Sequence, residues 1–243
     1  MNASPDLNSP SVTLAEAAAS RRSIRAFLCR PVPRALLEKM LSMASSAPSG
    51  SNTQPWRVYV LHDECLAQLA AALAGAFMAN EPRRPDYEHY ASPLPEPYLA
   101  RRRACGNGLY STLGIAKGDQ EGVRAYRARN YAFFGAPAAL VCTIDRALCA
   151  GSWVDYGMFL QTAMLAARSL GLHTCAEGSI AEYPDLVRAQ LGLEHREIVL
   201  CGMAIGYADP DAEVNHYQPR RCELSEFVTF LDASVHAGAM PSS

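Results

Sequence analysis

Residues 153–170 carry apolar side chains on nearly every face of a helical projection. Trp153, Gly157, Leu160, Met164, Ala167 and Leu170 mark one stripe, while Met158, Ala163, Leu165 and Ala166 load the others. A helix apolar on most sides has to be covered on most sides, inside a core or against a second chain. The chain also contains what could cover it. Residues 138–144 and 198–205 are near-continuous apolar runs that read as buried strands. Residues 56–61 alternate and read as a further strand.

Helical patterns surround these runs. Thr13 can cap a helix that ends at Arg21-Arg22-Ser23, and Pro33 opens a second helix through Leu36, Leu37, Met40 and Leu41. Further helices are expected at residues 64–77, 183–191 and 223–231. Residues 45–55 form a long turn-rich loop. Residues 80–103 break the pattern with prolines at 82, 85, 93, 95 and 97 and with Tyr87, Tyr90 and Tyr98 between them. Because that stretch is aromatic rather than polar, it reads as a lid, with a domain boundary as the alternative. Helices outnumber strands without βαβ alternation, which predicts an α+β architecture, a sheet covered by helices. The expected organisation is an arm at 1–12, one domain at 13–232 with a lid-like insertion at about 80–108, and a tail at 233–243.

Several function classes drop out. A formal net charge of −2 argues against a large nucleic-acid surface. No stretch is apolar enough to span a membrane and no signal peptide is visible, so a cytoplasmic protein is expected. The eight cysteines form no CxxC pair and the histidines lack metal spacing, so no metal is expected. Gly106-Asn107-Gly108 lacks the third glycine and the preceding strand of a dinucleotide loop.

Two segments carry chemistry. Arg21, Arg22, Ser23 and Arg25 crowd a helix end, where guanidinium forks can bind a phosphate; the plain alternative is a solvated basic turn. Residues 47–56 are dense in short donors and acceptors. The pairing of Arg-Arg-Ser-x-Arg with Ser49-x-x-Asn52-x-Gln54-Pro55-Trp56 resembles the FMN-dependent nitroreductase family. Residues 130–137, 171–178 and 202–207 and Pro219-Arg220 support the likeness, which spans about residues 13–232. It is nearest to the branch that includes nitrobenzoate reductases, on the insertion and on residues 206–210.

The resemblance implies a nitroreductase-like fold: a mostly antiparallel sheet in an intertwined homodimer, with FMN at the subunit interface. Arg21, Arg22, Ser23 and Arg25 would line the phosphate, ribityl chain and pyrimidine edge, with Arg25 nearest N1 and O2. Arg220, assisted by Arg221, would close the phosphate site. Pro48, Ser49, Gly50 and Asn52 would reach the flavin of the other subunit. Cys175, Ala176, Glu177 and Gly178 would lie beside N5, with the backbone N–H of Gly178 as its donor and no side-chain role implied for Glu177. NADPH or NADH would reduce the flavin, and a small planar oxidant would then replace the nicotinamide. Asn130, Phe133 and Phe134, with the insertion, would select that oxidant, unless the phenylalanines are core packing. Rival readings keep the scaffold and change the reaction to dehalogenation, enone or quinone reduction or dehydrogenation, or keep the flavin as a sensor.

Overall fold

The computed structural model describes residue 10 and residues 13–231. Apart from Pro10, the expected arm at 1–12 lies outside the described residues, as does the tail at 233–243. The helices are α1 (Leu14–Ser20), α2 (Arg34–Ala44), α3 (Asp63–Met78), α4 (Tyr98–Thr112), α5 (Gln120–Tyr131), α6 (Ala150–Ser169) and α7 (Pro184–Leu191). The strands are β1 (Arg57–His62), β2 (Ala138–Asp145), β3 (His173–Glu177) and β4 (Glu197–Gly206). They form one sheet in the order β1-β2-β4-β3, every neighbouring pair antiparallel.

The two apolar runs become the central strands, as their unbroken hydrophobicity requires. Every residue of β4 is buried, and all of β2 but Asp145. Side chains alternate across the sheet, so β2 sends Leu140, Cys142 and Ile144 to one face and Ala139 and Val141 to the other. The first face is covered by α2 and α6 through Leu37, Met40, Tyr156, Phe159 and Ala163. The second is covered by α3, α5 and α7 through Leu69, Leu73, Tyr126, Tyr131 and Val187. Each fully buried aliphatic side chain of this kind contributes roughly 2 kcal/mol. One side of α6 stays open, with Val154 67% and Met158 36% exposed.

A bulge interrupts the centre of the sheet. Cys142 pairs with Cys201 and Thr143 with Val199, so Leu200 is passed over. Leu200 and Cys201 therefore both face the α6 side, and local backbone groups are left without ladder partners. The insertion uses them. The Tyr87 hydroxyl donates to the Leu200 carbonyl at 2.5 Å, and the Val199 N–H donates to Asp86 at 3.4 Å. Asp86 also pairs with Arg188, and with Arg146 at 2.8 Å. The stretch expected to be a lid is thus fastened to the sheet at its base.

Four elements depart from expectation. Helix α4 grows out of the insertion, and Gly108 within it gives the Tyr217 ring room: a Cβ there would stand 2.7 Å from the ring. Helix α5 and strand β3 form where no regular element was anticipated. The helix expected at 223–231 reduces to a single turn, Leu224–Glu226. Phe227, Phe230 and Leu231 are 67–75% exposed, so its apolar stripe finds nothing to bury against.

Candidate functional site

Helix α1 delivers the arginine cluster. Thr13 and Glu16 form a reciprocal capping box, and the helix gives way to extended backbone at Arg21. The following residues lie along the edge of β3: Ser23 bridges Thr174, and the Ile24 N–H donates to the Thr174 carbonyl at 3.1 Å. Ile24 is fully buried and pins the segment, leaving Arg21, Arg22, Ser23 and Arg25 half-buried around it.

A second clamp comes from far along the chain. Asn215, fully buried, accepts from the N–H groups of Arg25 (2.9 Å) and Ala26 (3.2 Å). Its amide donates to the carbonyls of Ala26 and Asp209, both at 2.8 Å. A buried amide so fully satisfied holds its neighbours in one geometry. It brings residues 218–221 beside α1, where Ser20, Arg21, Arg22, Gln218, Pro219 and Arg221 line a hollow of about 220 Å³. Arg220, expected to close this site, turns to Glu223 at 3.5 Å and is 85% exposed, so Arg221 takes the position.

The hollow is strongly cationic. Among the described residues, Arg21, Arg22, Arg25 and Arg221 enter no ion pair. Arg22 Nε is buried with no hydrogen-bond partner. Burial lowers the proton affinity of Arg22, and behind it the buried Arg168 of α6 is lowered by burial and by the charge of Arg22. Guanidiniums gathered against their own repulsion, without carboxylates, form a receptor for an oxyanion.

At the other end of β3 the chain turns through Gly178–Glu182. Ala176, Glu177, Gly178, Ser179 and Asn130 line a cavity of about 690 Å³, with Arg83, His89, Tyr90, Arg102 and Arg127 opposite or around them. His89 lies directly on Gly178, where an added Cβ would stand 2.9 Å from the imidazole. Glu177 is 3% exposed and neither of its oxygens has a partner; burial holds its carboxyl well above the usual range, with Arg25 opposing. Cys175 is buried and its thiol is pushed up to about 12, first by burial and then by Glu177.

Two groups of anticipated residues lie elsewhere. Phe133 and Phe134 are 0% and 3% exposed and pack in the core, with Phe133 against Gly202; as core side chains they cannot reach an oxidant. Pro48, Ser49, Gly50 and Asn52 line neither cavity and pack toward α6, where the Gly50 N–H donates to Asp155 at 3.1 Å. Ser51, Asn52 and Gln54 all hold positive φ, a path that asparagine tolerates and that strains serine and glutamine. Sequence reasoning missed Asn215, His89 and Arg168. Only the Asp209-Pro210-Asp211 turn chemistry after β4 could have pointed to the region of the first.

Comparison with known proteins agrees with this geometry. Residues 18–207 match the Nitroreductase family. The chain is 41% identical over 213 residues to a 4-nitrobenzoate reductase of Pseudomonas putida, covering 88% of this chain and 93% of that protein. It is 40% identical over 212 residues to a chloronitrobenzene nitroreductase of Comamonas testosteroni, covering 87% and 93%. The crystal structure of the FMN and NADPH-dependent nitroreductase NfnB of Sphigopyxis sp. strain HMH superposes with a TM-score of 0.88 at 38% identity, covering 91% of this chain and all of that one.

Proposed function

This chain belongs to the nitroreductase family, and from that premise we propose that it is an FMN-dependent NAD(P)H oxidoreductase that reduces nitroarenes and similar planar oxidants. The observation that carries the reading is the hollow lined by Arg21, Arg22 and Arg221, whose guanidiniums have no carboxylate, and one of whose nitrogens is buried without a partner, among the described residues. Those residues fit the phosphate of FMN. The cavity beside Gly178 fits a planar ring system, and no side chain at Gly178 intrudes on it.

Bound FMN would supply the hydride-accepting and hydride-donating centre, which the protein itself lacks. The chain's own residues hold and tune it. Arg21, Arg22 and Arg221 bind the phosphate, each charge-assisted hydrogen bond contributing about 1.5–3 kcal/mol. Ser23 would hold the ribityl chain, Arg25 would set a cation near the pyrimidine edge, and the Gly178 N–H would donate to the flavin. Nicotinamide and oxidant take turns in the same cavity, so the kinetics are ping-pong. Asn130 lines that cavity, and Arg102 and Arg127 line it without a carboxylate partner among the described residues, which favours oxidants bearing an anionic group.

The working unit is a homodimer within one domain per chain. The open side of α6 supports a second copy, and so does the position of Pro48, Ser49, Gly50 and Asn52, away from their own chain's cavity and suited to a partner's. The cytoplasm suits Cys142 and Cys201, which face each other across β2 and β4 as separate thiols. No described helix is long and apolar enough to cross a membrane.

The test is the visible spectrum of the purified protein, before and after anaerobic NADPH. A flavin spectrum that bleaches, and returns on adding 4-nitrobenzoate, supports the assignment. Protein that stays colourless after incubation with FMN overturns it. Parallel initial-rate lines are expected with varied NADPH and oxidant; intersecting lines would remove the shared cavity.

A further inference from the structure

Glu177 ends β3 one residue before the turn that carries Gly178. Ala176 is exposed, and alternation along the strand puts Glu177 on the opposite, buried face with Cys175. Both carboxyl oxygens are buried and neither meets a donor among the described residues. Glu197, equally buried on the neighbouring strand, has three donors. A carboxyl left unsatisfied in a wall that faces a cavity is not there for the stability of the fold.

Its charged and titratable surroundings come from each neighbouring element. Arg25, from the segment ahead of α2, is the cation that acts on it. Cys175 on β3 and Cys201 on β4 are the thiols it acts on. Tyr126 of α5, its hydroxyl buried without a partner, feels the same Arg25 and Cys175. His89 of the insertion lies on the adjacent Gly178, and Arg127 of α5 and Arg102 of α4 line the same cavity. Arg25 is also the cation assigned above to the pyrimidine edge of the flavin. One guanidinium thus acts electrostatically on Glu177 and, in the FMN reading, on the flavin as well.

We propose that Glu177 is a proton-linked tuning residue of the cofactor: it takes up one proton from solvent when the flavin is reduced and returns it when the flavin is reoxidised. The inference rests on the FMN reading. The balance is complete. The nicotinamide gives two electrons and one proton to N5 as hydride and leaves oxidised, so negative charge is added at the flavin. Glu177 gains a solvent proton in the same half-reaction, and Arg25 is left facing one negative group. When the oxidant takes the hydride, Glu177 releases its proton. Burial without donors raises the proton affinity of the carboxyl, and negative charge added at the flavin raises it further. Glu177 acts through Arg25 and is a positioning residue, not a catalytic one.

The experiment is an anaerobic spectroelectrochemical titration of the FMN-loaded protein over roughly pH 5 to 9, the span known for buried glutamates. Wild type, Glu177→Gln and Glu177→Asp are compared. One extra proton per two electrons adds a tenfold change per pH unit, about 30 mV in the slope of midpoint potential against pH. Wild type is expected to show a stretch of that steeper slope. Glu177→Gln is expected to lack it while keeping the flavin spectrum, and Glu177→Asp to regain it at a shifted pH. Wild type and Glu177→Gln with superimposable slopes overturn the proposal and leave the FMN assignment intact. Should Glu177→Gln fail to fold, Glu177→Asp decides: a break unmoved from the wild-type pH overturns it. Protein that takes up no FMN overturns both.

Discussion

Glu177 on β3 and Glu197 on β4 are each 3% exposed, yet their proton affinities shift in opposite directions. At Glu197, burial alone would push the carboxyl up. Hydrogen bonds from Thr143 (2.6 Å), Tyr59 (2.9 Å) and Arg57 (3.1 Å) more than offset it, and the net direction is down. At Glu177 no donor offsets burial, and the direction is up. Depth is thus no guide to charge; the donors present decide. One carboxylate knits β1, β2 and β4 together, and the other leaves a valency open beside the cavity.

The comparison breaks first at Glu197. Glu197→Ala strands Thr143, Tyr59 and Arg57 and is expected to cost about 3 kcal/mol, read as a shifted midpoint in urea unfolding with an unchanged m-value. A loss under a few tenths would mean that solvent at the half-exposed Arg57 already does the work of the carboxylate. Asp86→Asn probes a second partnered carboxylate. It weakens the pairs to Arg188 and Arg146 and should cost about 2 kcal/mol, with faster amide exchange across residues 83–92 than in α3. Uniform exchange would show that the bulge holds the insertion without Asp86.

Glu177→Gln should do the reverse in the FMN-free protein. A carboxyl whose folded proton affinity is raised keeps its full contribution below the ordinary value of about 4.3 and loses it as pH climbs toward the folded value. Wild type should therefore lose about 1.4 kcal/mol per pH unit relative to Glu177→Gln across that window, with no difference at about pH 4. Glu197 carries the opposite sign: its folded affinity is lowered, so its contribution is present above about pH 4.3 and fades as pH falls through the lower folded value. Parallel stability curves for wild type and Glu177→Gln would place the Glu177 carboxyl in water. The smallest effect is expected from Gly178→Ala. The methyl meets only the His89 ring, which can swing aside, so about 1 kcal/mol or less is lost, seen as a melting shift of a few degrees. A larger drop would mean that the ring is held.

The pattern of the core was plain from the sequence because hydrophobicity wrote it: β2, β4, α2, α3, α6 and α7 all stand where apolar periodicity put them. The elements that escaped notice are those that bury polar groups. Strand β3 hides His173, Thr174 and Glu177, and α5 turns inward mainly through Tyr126 and Tyr131. The stripe at 223–231 misled for the converse reason, being apolar with no surface to cover. In the site, the arginine cluster was legible because charge density is local. That Arg221 and not Arg220 lines the hollow depends on the course of the chain after Asn215, and Phe133 and Phe134 were assigned to the substrate because aromatic character alone does not say which way a ring faces.

Asn215 joins Arg25 across 190 positions of sequence. In the order of synthesis, the arginine segment is made well before its clamp, and the central strand β4 also arrives after the three strands it organises. The arginine-lined hollow cannot form on a chain that still lacks Gln218, Pro219 and Arg221. Closure of the hollow therefore waits on the segment after β4, and cleavage anywhere between residues 209 and 217 is expected to open it while sparing all four strands.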